Sequence, residues 1–173
     1  MEERKANLVI LSLGSNQGNR EAYLRKAVDM LTEFIGKPLN ISSIYETPPL
    51  GFIAPQTFYN CAALFQTTYS PEELLAIIND IERKNNRQRI VPKETRQNYT
   101  SRTLDIDIIY FSNQIVTTNQ LIIPHPRRLE RKFVLTPIVE ICPNWIDPMN
   151  KRDVNALLAE STDSSKIKKI TNF

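Results

Sequence analysis

The stretch that most limits how this chain can fold is residues 101–111, Ser-Arg-Thr-Leu-Asp-Ile-Asp-Ile-Ile-Tyr-Phe. Six of its last eight residues are apolar, mostly β-branched or aromatic, which predicts a buried strand. Asp105 and Asp107 interrupt it. Alternate residues of a strand share a face and lie about 6.6–7 Å apart along the chain. The two carboxylates therefore point the same way, while Leu104, Ile106 and Ile108 take the opposite face and can pack on a core. Two unpaired carboxylates side by side repel each other and resist burial. A cation between them relieves both penalties, and Mg2+ with substrate phosphates suits an all-oxygen pair. An isolated D-x-D reads more plainly as two solvated aspartates on an exposed sheet face. The apolar strand around this one, and what precedes it, argue for the cation.

Residues 83–102 carry Arg83, Lys84, Arg87, Arg89, Lys93, Arg96 and Arg102 against one acid, Glu94. That stretch is net +6 in a chain of net +3, so the positive charge is local. Arg83 and Lys84 suit a helix C-terminus. The remainder lacks apolar periodicity and is long for a simple connection, the profile of a functional loop. Guanidinium groups match polyphosphate geometry. A basic loop feeding a D-x-D strand suggests phosphoryl chemistry on a nucleotide.

The 173 residues predict a single domain over 1–173 with a proper core, with 1–6 and 160–173 peripheral. The mild net charge does not call for a nucleic-acid partner. Cys61 and Cys142 lack paired metal spacing, and their number fits a reducing cytosol, so a cytoplasmic location is expected. The apolar run 8–13 is too short for a signal or membrane segment.

Taken in order, residues 8–11 predict a first, central strand ending at the turn cluster Gly14-Ser15-Asn16-Gln17-Gly18-Asn19. That cluster matches neither standard phosphate-loop spacing, and turn chemistry accounts for it. An apolar stripe (Tyr23, Leu24, Ala27, Val28, Leu31, Phe34, Ile35) predicts a helix over 20–35, stopped by Gly36 and Pro38. Strands are expected over 41–47 and 58–67, joined through the rigid Pro48-Pro49 turn. Asn60 is polar in an apolar run; backbone or a ligand could equally supply its partners. Ser70, Pro71 and Glu73 form a capping-box start for a helix to about Lys84. Beyond the D-x-D strand, Ile115-Val116 could pair back as a hairpin. His125, the only histidine, sits between two prolines; a lone histidine is usually structural, but one beside a phosphate site could donate to it. A short helix over 127–135 ended by Pro137, another over 153–158 and an edge strand over 166–170 complete the reading. The order β-α-β-β-α-β is the ferredoxin-like split βαβ arrangement, an α+β fold with a mainly antiparallel sheet, helices on one face and C-terminal additions.

Six segments then stand in a recognisable register: Leu13-Gly14-Ser15-Asn16, Tyr45-Glu46-Thr47-Pro48-Pro49-Leu50-Gly51, Phe58-Tyr59-Asn60, Arg102-Thr103-Leu104-Asp105-Ile106-Asp107, Pro124-His125-Pro126-Arg127, and Glu130-Arg131-Lys132-Phe133-Val134-Leu135. Together they resemble the 6-hydroxymethyl-7,8-dihydropterin pyrophosphokinases of folate biosynthesis, over about residues 8–145. The resemblance implies transfer of the β,γ-pyrophosphate of ATP to the pterin hydroxymethyl group, with release of AMP. It implies two Mg2+ ions on Asp105 and Asp107, and Arg87 and Arg102 on the phosphates as catalytic groups. ATP contacts would come from Leu75, Asn79, Glu82, Arg87, Arg89, Arg102, Ile108, His125 and Arg131. The pterin slot would be formed by Thr47, Pro48, Leu50, Phe58, Asn60, Tyr99 and Phe133, with Phe58 and Phe133 sandwiching the ring. The expected partners are these small molecules alone, with no nucleic acid or membrane, and the expected state is a monomer.

The chain departs from the family pattern at three places. Tyr99-Thr100-Ser101 stand where many members have Trp-Gly-Pro, Gln120 where some have a basic ATP contact, and Phe58 where a tyrosine is common. Two other readings compete. A two-metal nuclease or nucleotidyltransferase needs a third carboxylate near the pair. An RRM-like RNA binder stacks bases on aromatic residues of its central strands, whereas here the central strand would display two aspartates.

Overall fold

The computed structural model describes residues 4–50, 53–85 and 102–173. The basic stretch from 86 to 101, and with it Arg87, Arg89 and Tyr99, lies outside the described residues. Strand β1 (Asn7–Ser15) leads into α1 (Arg20–Ile35), then β2 (Asn40–Ile41), β3 (Ile44–Thr47), β4 (Phe58–Thr67) and α2 (Pro71–Lys84). After the D-x-D strand β5 (Asp105–Phe111) come β6 (Val116–Thr117), β7 (Ile122–Ile123), a 3-10 turn (Arg128–Glu130), α3 (Lys132–Ile141), α4 (Val154–Ala159) and β8 (Lys168–Thr171).

The main sheet runs β5-β1-β4-β3-β8, with β2 also on β4, and every pairing is antiparallel. The split βαβ core is as expected, and β1 is interior. The D-x-D strand is an end strand rather than a central one, so among the described residues no further strand pairs with one of its edges.

Alternation along the strands separates two faces. Val9, Leu11, Leu13, Cys61, Ala63, Phe65, Ile106 and Ile108 pack on Leu24, Ala27, Val28 and Leu31 of α1 and Leu74, Ile78 and Ile81 of α2. Ile10, Ala62, Ile109 and Tyr110 pack on Val134 and Ile138 of α3 and Val154 of α4. Helices therefore cover both faces, because the C-terminal additions fold over the side the βαβ units leave bare. A register shift between Ile10 and Leu11 makes Ile109 an extra residue in β5. That bulge turns both Ile109 and Tyr110 toward α3.

The helix starts follow the local signals. Ser70 accepts from the Glu73 N–H at 3.2 Å, and Glu73 accepts from the Ser70 N–H at 2.7 Å. Asn19 caps α1, and Gly36 ends it at φ 106°, in the region that favours glycine. Phe34, placed in the α1 stripe, is 40% exposed at the helix end.

Three local expectations are corrected. The strand over 41–47 breaks at Ser42-Ser43: Ser42 Oγ accepts the Ala62 N–H at 2.8 Å, taking the place of a ladder carbonyl. Ser43 bonds through both its N–H and its hydroxyl to Glu140 on α3. Ile115-Val116 does not pair back on β5. The chain leaves the sheet at Ser112, whose N–H and Oγ are taken by Leu8, and Val116 pairs with Ile123 instead. Pro137 lies inside α3 rather than beyond it. Interior proline costs about 3 kcal/mol, but burying Val134, Leu135 and Ile138 returns about 1.5–3 kcal/mol each.

Candidate active site

Asp105 and Asp107 share the face on which α3 sits, as the strand period requires. In the β1–β5 ladder they lie opposite Gly14 and Ser12. The helical cover stops short of this end, leaving a cleft lined by Ser12, Gly14, Thr47, Pro48, Leu50, Phe58, Asn60, Arg102, Asp105, Asp107, Arg131 and Phe133. Of the described residues expected to form a pterin slot, all six line it.

A second cleft runs along the open edge of β5. Leu75, Ile106, Asp107, Ile108, Gln120, Leu121 and His125 are among its lining residues. Leu75, Asn79 and Glu82 recur at i, i+4 and i+7 on α2, one helical face. Glu82 is buried, and its Oε1 accepts the Ile106 N–H at 2.8 Å, which fixes the outer edge of the D-x-D strand. Asp107 lines both clefts and is where they meet.

The charges around the pair are graded. Arg102 Nη1 donates to Asp105 Oδ2 at 2.6 Å. Asp107 Oδ2 lies 3.7 Å from Arg131 Nη1 and 3.8 Å from His125 Nε2, beyond hydrogen-bond reach. Burial, and then the neighbouring Asp105 charge, push the Asp107 carboxyl well above the ordinary carboxylate range; Arg131 only partly opposes them. His125 is driven the other way. Burial and then the Arg131 charge lower it to about 4, so the ring is neutral near pH 7. Its Nδ1 accepts the Arg127 N–H at 3.2 Å, which leaves the proton on Nε2, facing Asp107.

Asn60 is buried, and its Nδ2 donates to Thr47 Oγ1 at 2.8 Å, a side-chain partner rather than backbone. Its Oδ1 occupies space that only glycine leaves at position 14: a Cβ built there would come within 2.9 Å of that oxygen. Thr47, Phe58 and Asn60 stand at the tips of β3 and β4, where the ladder pairs Thr47 with Phe58.

Sequence reasoning assigned no role to Asn16 or Asn85, and both prove to hold the entry to β5. Buried Asn16 exchanges two bonds with Arg102: the Arg102 N–H donates to Asn16 Oδ1 at 2.7 Å, and the Asn16 N–H donates to the Arg102 carbonyl at 3.1 Å. Thr103 Oγ1 donates to the Asn85 carbonyl at 2.7 Å. Asn16 stood in a turn cluster and in one of the six family segments, but neither assigned it a role.

Two clefts that join at a carboxylate, one of them lined by aromatic rings, give room for two ligands to meet, the arrangement a group-transfer enzyme needs. The family model for 7,8-dihydro-6-hydroxymethylpterin-pyrophosphokinase (HPPK) matches residues 10–143, and the chain belongs to that family. It is 42% identical over 137 residues to the 2-amino-4-hydroxy-6-hydroxymethyldihydropteridine pyrophosphokinase of Bacillus subtilis (strain 168), covering 79% of this chain and 78% of that one. It is 34% identical over 154 residues to the enzyme of the same name from Aquifex aeolicus (strain VF5), covering 89% and 92%. The wild-type Plasmodium falciparum HPPK-DHPS crystal structure with pteroate has the same fold, with a TM-score of 0.72 at 17% identity; the match covers 92% of this chain and 43% of that longer one. As a member of this family the chain is a pyrophosphoryl transferase, acting from ATP on hydroxymethylpterin in folate biosynthesis with release of AMP.

Proposed function

We propose that the transfer takes place at Asp107, with the reduced pterin in the cleft of Thr47, Asn60 and Phe133 and ATP along the open edge of β5. The observation that carries this reading is that Asp107 is the shared wall of the two clefts. A hydroxyl in one and a triphosphate in the other would face each other across it.

The donor set fits Mg2+. Among the described residues no group of three or more His, Cys, Asp or Glu side chains could cage a metal. Mg2+ keeps several waters and is commonly held by one or two carboxylates with substrate phosphates, which is what Asp105 and Asp107 offer. Burial first, and then the Asp105 charge, raise the proton affinity of Asp107, and a cation between the two carboxylates would relieve their repulsion. Two Mg2+ ions held there would neutralise the phosphates and align the hydroxyl when bound.

The chain's own residues supply the rest. Asn60 and Thr47 would orient the pterin edge, and Phe58 and Phe133 would stack on its ring. Pro48 and Leu50 would close the slot. Arg102, braced by Asn16, and Arg131 would hold the phosphates and stabilise charge developing at the bridging oxygen. His125 would donate from Nε2 to phosphate, while Leu75, Asn79, Glu82 and Ile108 would shape the nucleotide side. Arg87, Arg89 and Tyr99 belong to this proposal although they lie outside the described residues. No helix among the described residues is long and apolar enough to cross a membrane. We infer a single-domain, cytoplasmic monomer acting on small molecules.

The test is product analysis. With ATP, Mg2+ and 6-hydroxymethyl-7,8-dihydropterin, AMP and pterin diphosphate should appear in equal amounts. Accumulation of ADP, or ATP loss independent of the pterin, would refute the reaction.

A further inference from the structure

Arg20 is oddly placed. It opens α1, where the helix dipole is positive and a cation is unfavourable. Its side chain turns away from the helix and is only 18% exposed. Nη1 donates to the Thr57 carbonyl at 2.9 Å and to Thr57 Oγ1 at 2.6 Å, and lies 3.4 Å from Glu46 Oε1. Thr57 Oγ1 in turn donates to the same Glu46 oxygen at 2.6 Å. The guanidinium carbon sits 3.7 Å from the centre of the Tyr59 ring, a close cation–π contact.

These partners share one location. Glu46 and Tyr59 face each other in the β3–β4 ladder, and Thr57 is the last residue of the connection 48–57. Strand alternation puts Glu46 and Tyr59 on one side and Thr47, Phe58 and Asn60 on the other. The three on the other side line the aromatic cleft, and Pro48 and Leu50 follow directly. One guanidinium thus spans both feet of the hairpin tip from behind the cleft.

We propose that Arg20 is a positioning residue for the pterin. It fixes the spacing of the β3 and β4 tips, and so the geometry of Thr47, Phe58 and Asn60, without touching substrate. This rests on the function proposed above. One guanidinium nitrogen reaches the carbonyl, the hydroxyl and the carboxylate while the planar group lies over the Tyr59 ring; an ammonium could donate the same bonds but has no planar face to stack. The nucleotide cleft, built on α2, β5 and His125, makes no use of this brace.

The experiment compares wild type with Arg20→Ala, Arg20→Lys and Thr57→Val. Calorimetry with 6-hydroxymethylpterin, in the presence of Mg2+ and a non-hydrolysable ATP analogue, reads pterin affinity. The analogue alone reads nucleotide affinity. Arg20→Ala should weaken pterin binding about tenfold, the scale of a lost charge-assisted contact, and change analogue binding less than twofold. Arg20→Lys should recover only part of the loss. Amide hydrogen exchange over 46–59 should quicken in Arg20→Ala while β1 stays protected. Equal losses for both ligands, or full rescue by lysine, would overturn the proposal, as would unchanged exchange over 46–59. If Arg20→Ala does not fold, Thr57→Val carries the test: a selective pterin loss supports the brace and unchanged pterin affinity refutes it. The exchange readout uses no substrate, so it judges the brace even if wild type makes no AMP from the pterin, a result that would instead refute the proposed reaction.

Discussion

Two aspartates in this molecule lie beside buried arginines, and they are treated in opposite ways. Asp147 is completely buried and fully served. Arg128 donates to it through Nε at 2.5 Å and Nη2 at 3.0 Å, Tyr110 through its hydroxyl at 2.9 Å, and Met149 and Asn150 through their N–H groups. Burial alone would raise its pKa, but the bonds from Arg128, the Asn150 N–H, Tyr110 and the Met149 N–H outweigh it and hold the group at about 2. Asp107 has its arginine and histidine at 3.7 and 3.8 Å, and its pKa moves upward. Among the described residues Asp107 is therefore the less closely partnered of the two carboxylates, as expected if a cation completes its site. Asp147 serves the fold; Asp107, in the function proposed above, serves a cation.

The comparison breaks most readily at the active pair. Asp107→Asn should lower turnover at saturating substrates by about a thousandfold or more, because it removes a charged ligand from a site built to neutralise polyphosphate. Stability without ligand should hold or rise. A folded Asp107→Asn protein with near-normal turnover would refute the distinction.

The mirror substitution, Asp147→Asn, should leave the buried Arg128 without its counter-charge, at a cost of about 3–5 kcal/mol. Urea unfolding would read it; a loss under 1 kcal/mol would mean that Asp147 is no more structural than Asp107.

Acid sharpens the contrast. The folded pKa of Asp147, about 2, lies below its unfolded value near 3.9. Its contribution, roughly 2–3 kcal/mol, is therefore complete above the unfolded pKa and is lost as pH falls from about 4 through 2. Asp147→Asn should flatten that part of the stability profile. An unchanged acid limb in the variant would place the titrating group elsewhere.

A smaller effect belongs to the polar residue of the aromatic cleft. Asn60→Ala should weaken pterin binding by about 1–3 kcal/mol and leave nucleotide affinity nearly unchanged. Equal weakening of both ligands would make Asn60 a structural residue like Asp147.

How far the sequence revealed this depended on the range of each signal. The bounds of α1, β4 and α2 are set by neighbouring residues: the stripe from Leu24 to Leu31, the apolar run 58–67, and Ser70 with Glu73. The shared face of Asp105 and Asp107 followed from strand period alone. What stayed hidden depends on partners far along the chain. Ser42 breaks a strand because Ala62 is within reach, and Pro137 is tolerated in α3 because Ile10, Ala62, Ile109 and Tyr110 lie beneath that helix. The open edge beside Asp107 and the cover on the second face depend on strand order, which local pattern does not encode. Asn16 and Arg20 looked like turn and helix-start residues until Arg102, Glu46 and Thr57 were found against them.

The most direct test of the central claim is a set of four melting curves: wild type and Asp107→Asn, each with and without Mg2+ and a non-hydrolysable ATP analogue. If Asp107 is kept under-served for a cation, the variant alone melts at or above wild type. The ligands then raise the wild-type midpoint clearly and the variant midpoint little. A variant that melts well below wild type without ligand, or gains as much as wild type from Mg2+ and the analogue, would contradict the account.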